Sequence, residues 1–188
     1  MPANATTLTI AEAQRDVRTT FLGGFAGQLV VALIWLASAI LATWGSHRAA
    51  ILTLAVGGAF IFPLTQLALR LMGRPASLPK GHPMNALARQ IAFIVPLCLP
   101  LVAAATLYRL DWFYPAFMIV VGAHYLPFAW LYGMAQFEIL GALLIAAGLV
   151  IAFWMPIFSL GAWVSVVLFL GFAFVARSVV MKEGNVLR

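Results

Sequence analysis

The sequence contains few charged residues. Only 9% of its 188 residues are charged, and five Asp and Glu stand against eleven Lys and Arg. Soluble domains contain about 25% charged and about 45–50% apolar residues. Here 64% of the residues are hydrophobic and the mean hydropathy is +1.05. This composition excludes a water-soluble globular enzyme, and it excludes a disordered chain because disorder requires low hydrophobicity and high charge. What remains is an integral membrane protein.

Cysteine is nearly absent as well, since Cys98 is the only one and lies in an apolar run. A single thiol excludes an intrachain disulfide and a thiolate metal cluster. We interpret Cys98 as a small hydrophobic side chain. The sequence also lacks the motifs typical of zinc hydrolases, serine hydrolases and nucleotide-binding enzymes. It therefore predicts no catalytic residue, no metal and no other cofactor.

Six apolar runs have the length of about 20 residues that a membrane-crossing helix requires. Strand-like alternation of apolar and polar residues is absent from the sequence. The pattern predicts an all-α integral membrane protein, a six-transmembrane-helix bundle. The predicted spans are residues 21–44, 49–72, 86–107, 112–132, 137–155 and 158–176. We expect one transmembrane domain of residues 21–180, a cytoplasmic or interfacial segment of residues 1–20, and a cytoplasmic tail of residues 181–188.

The segment before the first span contains a helix-capping signal. Thr9 and Glu12 have the spacing of a capping box. Ile10, Val17 and Phe21 then share one helical face. This pattern predicts a short amphipathic N-terminal helix on the membrane surface. A solvated tail is the alternative that the sequence leaves open.

Basic residues are distributed unevenly between the two sides of the predicted bundle. With six spans, both termini lie on one side, and that side holds all but two of the Lys and Arg residues. The residues on this side are Arg15, Arg18, Arg70, Arg74, Lys80, Arg89, Arg177, Lys182 and Arg188, against Arg48 and Arg109 on the other. Because cytoplasmic loops are rich in Lys and Arg, both termini are expected to be cytoplasmic. The aromatic residues at the predicted outer span ends agree with this orientation: Trp44, Tyr108, Trp112, Tyr114, Trp154 and Trp163.

The distribution of Lys and Arg also indicates which partners the protein has. The net charge of +6 needs no nucleic acid to explain it. It favours contact with anionic lipid head groups beside the lipid bilayer.

Small residues recur inside the spans and predict close helix packing. Gly23-x-x-x-Gly27 lies in the first span, and Ala142-x-x-x-Ala146 lies in the fifth beside further glycines. We interpret these Gly/Ala faces as contacts within the monomer, with a homo-oligomer interface as the alternative. Residues 58–64 and 122–128 both read Gly-Ala-x-x-x-Pro-apolar. This similarity would fit a repeated helical hairpin, and chance resemblance explains it equally well.

Polar residues inside the spans are the candidates for function, because they are costly in lipid. Gln28, Gln66 and His124 lie about 10, 9 and 12 Å inside their spans at ~1.5 Å per residue. Arg89 and Glu138 lie at the starts of their spans. They could form an ion pair with each other, or each could be a solvated charge. All five fall in the predicted cytoplasmic half, and each comes from a different span. We therefore predict one inward-facing polar cavity.

The fourth span adds tyrosines to this prediction. Tyr114, Tyr125 and Tyr132 lie within about 20° of one another around the helix, which favours a partly wet face directed into the bundle. A packed aromatic face with each hydroxyl bonded to a neighbouring carbonyl is the alternative. We place Tyr125 and Tyr132 on the substrate path. His124 lies about 80° from this face by the same helical geometry. Its imidazole is either a proton carrier near neutral pH or a neutral group hydrogen-bonded between helices.

Residues 112–138, WFYPAFMIVVGAHYLPFAWLYGMAQFE, and the preceding Pro96-Leu-Cys-Leu-Pro100 run resemble a family of small uncharacterised bacterial inner-membrane proteins, the YoaS-like group. The resemblance covers about half of the chain. It implies a helical bundle in a bacterial inner membrane. It implies no activity and contributes no site residues.

Together these observations favour a small-solute transporter or channel with an inward-facing polar cavity. A non-catalytic structural or regulatory membrane subunit is the alternative. A membrane enzyme acting on a lipid is a third class, for which the sequence provides no acid–base pair.

Overall fold

The computed structural model describes residues 8–186 and consists of helices joined by short connections. The helices are α1 (Ile10–Thr20), α2 (Phe25–Trp44), α3 (His47–Leu71), α4 (Met84–Tyr108), α5 (Phe113–Tyr132), α6 (Gln136–Trp154) and α7 (Leu160–Val186). Short 3₁₀ turns at Leu22–Gly24 and Leu110–Trp112 precede α2 and α5. No strand occurs between residues 8 and 186. Six helices, α2 to α7, are long and apolar enough to cross a membrane, which confirms the predicted all-helical class.

The helix bounds lie close to the predicted spans, with one marked difference at the C-terminal end. The last helix continues to Val186, well beyond the predicted span end at residue 176. Most of the segment expected to be a tail is therefore helical. Residues 1–7 and 187–188, which belong to the predicted terminal segments, lie outside the described residues.

Four helices form the core and two lie at its edges. Half of the apolar window of α2 and of α5 is buried, against 11% for both α3 and α4. α3 packs mainly on α2, and α4 packs mainly on α5, while α6 and α7 complete the centre. Although α3 and α4 are consecutive in the chain, they do not form a helix pair. Their apolar faces consequently point outward, as expected where lipid surrounds the bundle.

Glycines allow α5 and α6 to approach each other closely. A Cβ atom on Gly122 would lie 2.7 Å from the Gly141 carbonyl oxygen, and one on Gly148 would lie 2.9 Å from the Pro115 carbonyl oxygen. These distances are shorter than the about 3.5 Å of a normal non-bonded contact. The glycines of α6 thus serve packing within the chain, as predicted, whereas Ala142 is exposed.

The two similar segments of α3 and α5 have different surroundings. Gly122 is packed between helices, but no atom lies within 4 Å of the position that a Cβ on Gly58 would occupy. Pro63 is exposed, and Pro127 is half-buried. The two segments therefore do not occupy equivalent positions in the bundle.

The capping box that the sequence predicts is formed at the start of α1. The Glu12 amide donates to Thr9 Oγ1 at 3.3 Å, and the Thr9 amide donates to Glu12 Oε2 at 2.8 Å. These hydrogen bonds, from the Thr9 amide first and then its hydroxyl, lower the pKa of the exposed Glu12 carboxyl. Ala13 and Val17 are buried, whereas Ile10 is 60% exposed. The helix is therefore held against the bundle by only part of its apolar face.

The connection from α1 to α2 is a sharp break. Leu22, Gly23 and Gly24 have φ angles of +51°, +63° and +83°. Gly23 belongs to the predicted Gly23-x-x-x-Gly27 helix face, but its left-handed backbone places it in the turn before α2. This break brings α1 back onto the end of the bundle that contains the α3–α4 loop, the α5–α6 loop and the end of α7. We call this end the terminal face.

Candidate functional site

The seven residues of the predicted path differ in burial. Gln28, Tyr125 and Tyr132 are buried, and Gln66 and His124 are half-buried. Arg89 and Glu138, in contrast, are exposed near the terminal face. Neither takes part in a salt bridge within the described residues, so they form no ion pair there. The first five residues are kept as the candidate site on the basis of burial, and the two charged residues lie outside it. No contact recorded among the described residues joins Gln66 to the other four.

The two tyrosines belong to an aromatic cluster at the junction of α5 and α6, which also contains Phe128 and Phe137. The rings of Tyr125 and Phe137 are stacked with centroids 5.9 Å apart, and those of Tyr132 and Phe137 are 4.9 Å apart. Phe128 contacts all three of these rings. These rings fill the terminal half of the bundle.

The start of α2 packs on this cluster. A Cβ on Gly24 would lie 3.1 Å from Phe137 Cζ and 3.7 Å from the Tyr132 hydroxyl. Gln28 lies in the first turn of α2, on the helical face that leads to Trp35. Trp35 continues this face two turns later and contacts rings of α5 and α7. Gln28 is thus directed towards the interior of the bundle, and it is only 3% exposed.

Gln28 has no hydrogen bond to compensate for its burial. Its Oε1 atom has no partner among the described residues. In a membrane interior, water is not available to satisfy such an atom, and an unpaired buried polar group costs about 1–3 kcal/mol. The residue therefore weakens the fold unless something else binds to the amide.

His124 borders the same cluster from α5. Its ring lies 4.9 Å from that of Phe128 and 5.8 Å from that of Tyr125, and the imidazole also lies near the backbone of Ile91 in α4. Nδ1 is buried and has no partner among the described residues. The sequence leaves open a proton carrier or a neutral imidazole held between helices. The approach of the ring to the Ile91 backbone of α4 fits the second interpretation, with Nδ1 unpaired.

A third unpaired atom lies on the other side of α2. Thr65 Oγ1 of α3 is buried without a partner among the described residues. It faces α2, because a Cβ on Gly27 would lie 3.7 Å from it. Gln66 follows directly in α3 and is half-buried. Unpaired polar groups thus occur on α2, α3 and α5, all in the terminal half.

These groups do not share a pocket that is open in the described structure. One groove, of about 340 Å³, follows the outer side of α2 and α3 and is lined by apolar residues such as Ile34 and Leu67. A second, of about 560 Å³, lies at the terminal face between Ile10, Met84 and Trp130. Neither is lined by the five site residues. The candidate site therefore lies away from both grooves.

Tyr114 occupies the bundle-facing side predicted for it with Tyr125 and Tyr132 and not the predicted aromatic belt, and its partner Ser38 was not predicted. Tyr114 was expected in the aromatic belt at the outer membrane surface, but it is fully buried. Its hydroxyl lies 2.6 Å from Ser38 Oγ, which also donates to the Ala50 carbonyl at 2.9 Å. This polar link joins α2, α3 and α5 at the end opposite the terminal face. Its only sequence signal was that Tyr114 shares a helical face with Tyr125 and Tyr132.

The contacts of α1 were also missed, because they join residues far apart in the chain. Arg18 Nη1 donates to the Tyr132 carbonyl at 2.7 Å, and Arg18 Nε lies 3.2 Å from Glu183 Oε2. His82 Nε2 lies 3.6 Å from Asp16 Oδ2. Residues 114 and 165 positions apart meet in the Arg18 contacts, and no local pattern indicates them.

The described residues contain no group of three side chains able to hold a metal ion. A family model for a family of unknown function, DUF7010, matches residues 10–178. The chain belongs to this family. The match fits the expectation of an uncharacterised family, but it does not support the YoaS-like assignment. No curated protein and no solved structure matches the chain. The match includes α2 to α6 and most of α7, and the six apolar helices indicate a membrane location.

Proposed function

We propose that this DUF7010 protein is a carrier or channel for a small polar solute. The observation that supports the proposal is the set of unpaired buried atoms: Gln28 Oε1, Thr65 Oγ1 and His124 Nδ1. In lipid, polar groups of this kind are expensive and are characteristic of substrate paths. Their cost is removed when a solute or water molecule supplies the missing hydrogen bonds.

The proposed path runs from the terminal face past Tyr132 and Tyr125 to Gln28 and His124. Glu138 and Arg89, both exposed near this face, would attract or orient the solute before entry, and Gln66 would border the path from α3. Because the candidate site lies away from both grooves, conduction requires the helices to move apart. The peripheral helices α3 and α4 are the natural moving parts, since each packs mainly on one neighbour.

We further propose that the terminal face is cytoplasmic and that the membrane is a bacterial inner membrane. The support is the positive-inside distribution, with exposed Arg15, Arg70 and Arg89 on this face. The same residues would contact anionic lipid head groups. Proteolysis or thiol labelling of right-side-out and inside-out vesicles would test this orientation.

Transport is tested with purified protein in proteoliposomes. Osmotic swelling in urea, glycerol or glycine reports permeability by light scattering, at pH 5.5 and 7.5. We expect permeability above that of empty liposomes for at least one probe. Gln28→Leu should lower it and at the same time stabilise the fold, because it removes an unpaired buried amide. His124→Ala should change the rate or its dependence on pH.

Gln90 provides a matched control, because it is an exposed glutamine on α4. Gln90→Leu should change neither permeability nor stability. Equal effects of the two substitutions would show that Gln28 does not line the path. Permeability equal to that of empty liposomes for all probes at both pH values would refute transport of these solutes.

The second candidate function is a non-catalytic structural or regulatory subunit. It is favoured by the outer surfaces of α3 and α4, which contribute little to the core. A partner helix, or the α6 surface around Ala142 in a homo-oligomer, would cover them. Cross-linking from the exposed Phe62 in native membranes tests this function. A stoichiometric partner together with absent solute permeability would favour the subunit over the transporter.

A further inference from the structure

Helix α1 lies across the terminal end of the candidate site. Gln14 Nε2 donates to the Trp130 carbonyl at 2.5 Å, and Arg18 Nη1 donates to the Tyr132 carbonyl at 2.7 Å. Both carbonyls belong to the last turn of α5, where helix carbonyls tend to lack partners within the helix, and the Trp130 carbonyl also accepts from the Gly133 amide at 3.3 Å. The two side chains also crowd Gly133, at the end of that turn. α1 therefore covers the same chain segment that carries the Tyr132 ring.

Few contacts hold α1 in this position. Its buried apolar side chains are Ala13 and Val17, which are small. The remaining contacts are polar. Arg18, with a side chain 15% exposed, pairs with Glu183, whose side chain is 45% exposed, and the exposed Asp16 lies 3.6 Å from Nε2 of the buried His82. Exposed ion pairs contribute little stability. The attachment is thus specific in geometry but weak, as a reversible contact must be.

The connection to α2 is suited to a hinge. Three successive residues, Leu22 to Gly24, have left-handed backbone conformations. This conformation is unfavourable for leucine, because its Cβ is crowded by the backbone. Rotation about the two glycines would lift α1 and relieve the strain at Leu22, and it would give up the close approach of Gly23 to Ala176 and Val180 of α7. The same rotation would disturb the contacts of Gly24 with Phe137 and Tyr132.

We infer that α1 is a hinged lid that closes the terminal end of the solute path. This inference rests on the proposed function, since a lid needs a path to close. In the closed state, Arg18 and Gln14 fix α1 to the end of α5. Release of these two contacts lets α1 swing about Gly23 and Gly24, and solute then reaches Tyr132 and the core beyond it.

The position of the lid can be measured without any transport assay. Spin labels are placed at Ala11→Cys on α1 and Ser178→Cys on α7, both exposed positions, in a Cys98→Ala background. Double electron–electron resonance in nanodiscs should give one main distance for the otherwise unchanged protein. Arg18→Gln should add a population at longer distance. Arg15→Gln is the matched control, because it removes the same charge from an exposed position of α1 whose side chain has no hydrogen bond among the described residues.

Swelling assays on the same variants then test gating. Arg18→Gln should raise the permeability for a conducted probe severalfold, and Arg15→Gln should leave it unchanged. An unchanged distance distribution in Arg18→Gln would overturn the lid, whatever the transport result. A longer distance with unchanged permeability would also overturn it, because the helix would move without closing a path. A longer distance combined with no permeability in any variant would instead refute the proposed function.

Discussion

The glycine contact between α5 and α6 leads to a sharp prediction about stability. Gly122→Ala would place a methyl group 2.7 Å from both the Gly141 carbonyl oxygen and Ile145 Cγ1. The oxygen belongs to the backbone and cannot turn away, so the two helices must separate. Overpacking of this kind costs about 1–3 kcal/mol. Alanine also regains about 0.5–1 kcal/mol of helix preference, which offsets part of the loss.

Gly58→Ala provides an internal reference for this prediction. Gly58 occupies the corresponding place in the similar segment of α3, and no atom lies within 4 Å of its Cβ position. Both variants gain the same helix preference, so the difference between them isolates the contact cost. We expect the free energy of unfolding of Gly122→Ala to be lower than that of Gly58→Ala by about 1–3 kcal/mol.

The assay is reversible unfolding in mixed micelles with increasing SDS, followed by circular dichroism. Gly58→Ala should match or exceed the parent protein in stability. If both substitutions have the same effect, the close approach of α5 and α6 is wrong. Such a result would also restore the hypothesis that the two segments are equivalent repeats.

Two further perturbations are informative. In a double-mutant cycle of Ser38→Ala and Tyr114→Phe, we expect a coupling of about 0.6–1.7 kcal/mol, as found for hydrogen bonds inside membranes. Ser165→Ala combined with Tyr114→Phe is the control and should show no coupling, since the buried Ser165 hydroxyl donates to Gly161 of its own helix. Additive effects of Ser38→Ala and Tyr114→Phe would contradict the hydrogen bond between the two side chains. Acidification should fray α1, because the pKa of the Glu12 carboxyl is lower in the folded state than its unfolded value of 4.5. The ionised carboxyl therefore stabilises the helix start above pH 4.5, and this stabilisation is lost as the pH falls through the lowered pKa. Hydrogen exchange of the first turn measures this fraying, which Thr9→Ala should abolish as a pH-dependent effect.

The candidate site illustrates why the path residues were only partly predictable. Depth along a helix follows from residue number, and so Gln28 and His124 could be assigned to the same half of the bundle. Burial was also foreseeable for Tyr125 and Tyr132, because they share a helical face. The exposed positions of Arg89 and Glu138 match the solvated alternative, but the sequence could not choose it over the ion pair, since each residue lies at a helix end where a small rotation decides between core and surface.

Two features of α1 also differ in whether the sequence alone could predict them. Its capping box was predictable, because Thr9 and Glu12 are close in sequence and their hydrogen bonds depend only on local helix geometry. Its attachment through Arg18 was not, because the partners Tyr132 and Glu183 come from α5 and α7. Long side chains have many exposed alternatives, and only the assembled terminal face selects one.

The sequence by itself determined the six apolar helices and the helical class of this DUF7010 protein. Hydrophobicity and length add up along a continuous segment, and each membrane-crossing helix satisfies its own backbone, so no partner is needed to specify it. The tertiary structure decided which residues meet. It placed α3 and α4 at the edges, packed Gly122 while leaving Gly58 open, and buried Tyr114 against Ser38. Lipid is as apolar as the helix faces, so hydrophobicity does not choose between neighbours; close fit and polar pairing between distant segments make that choice.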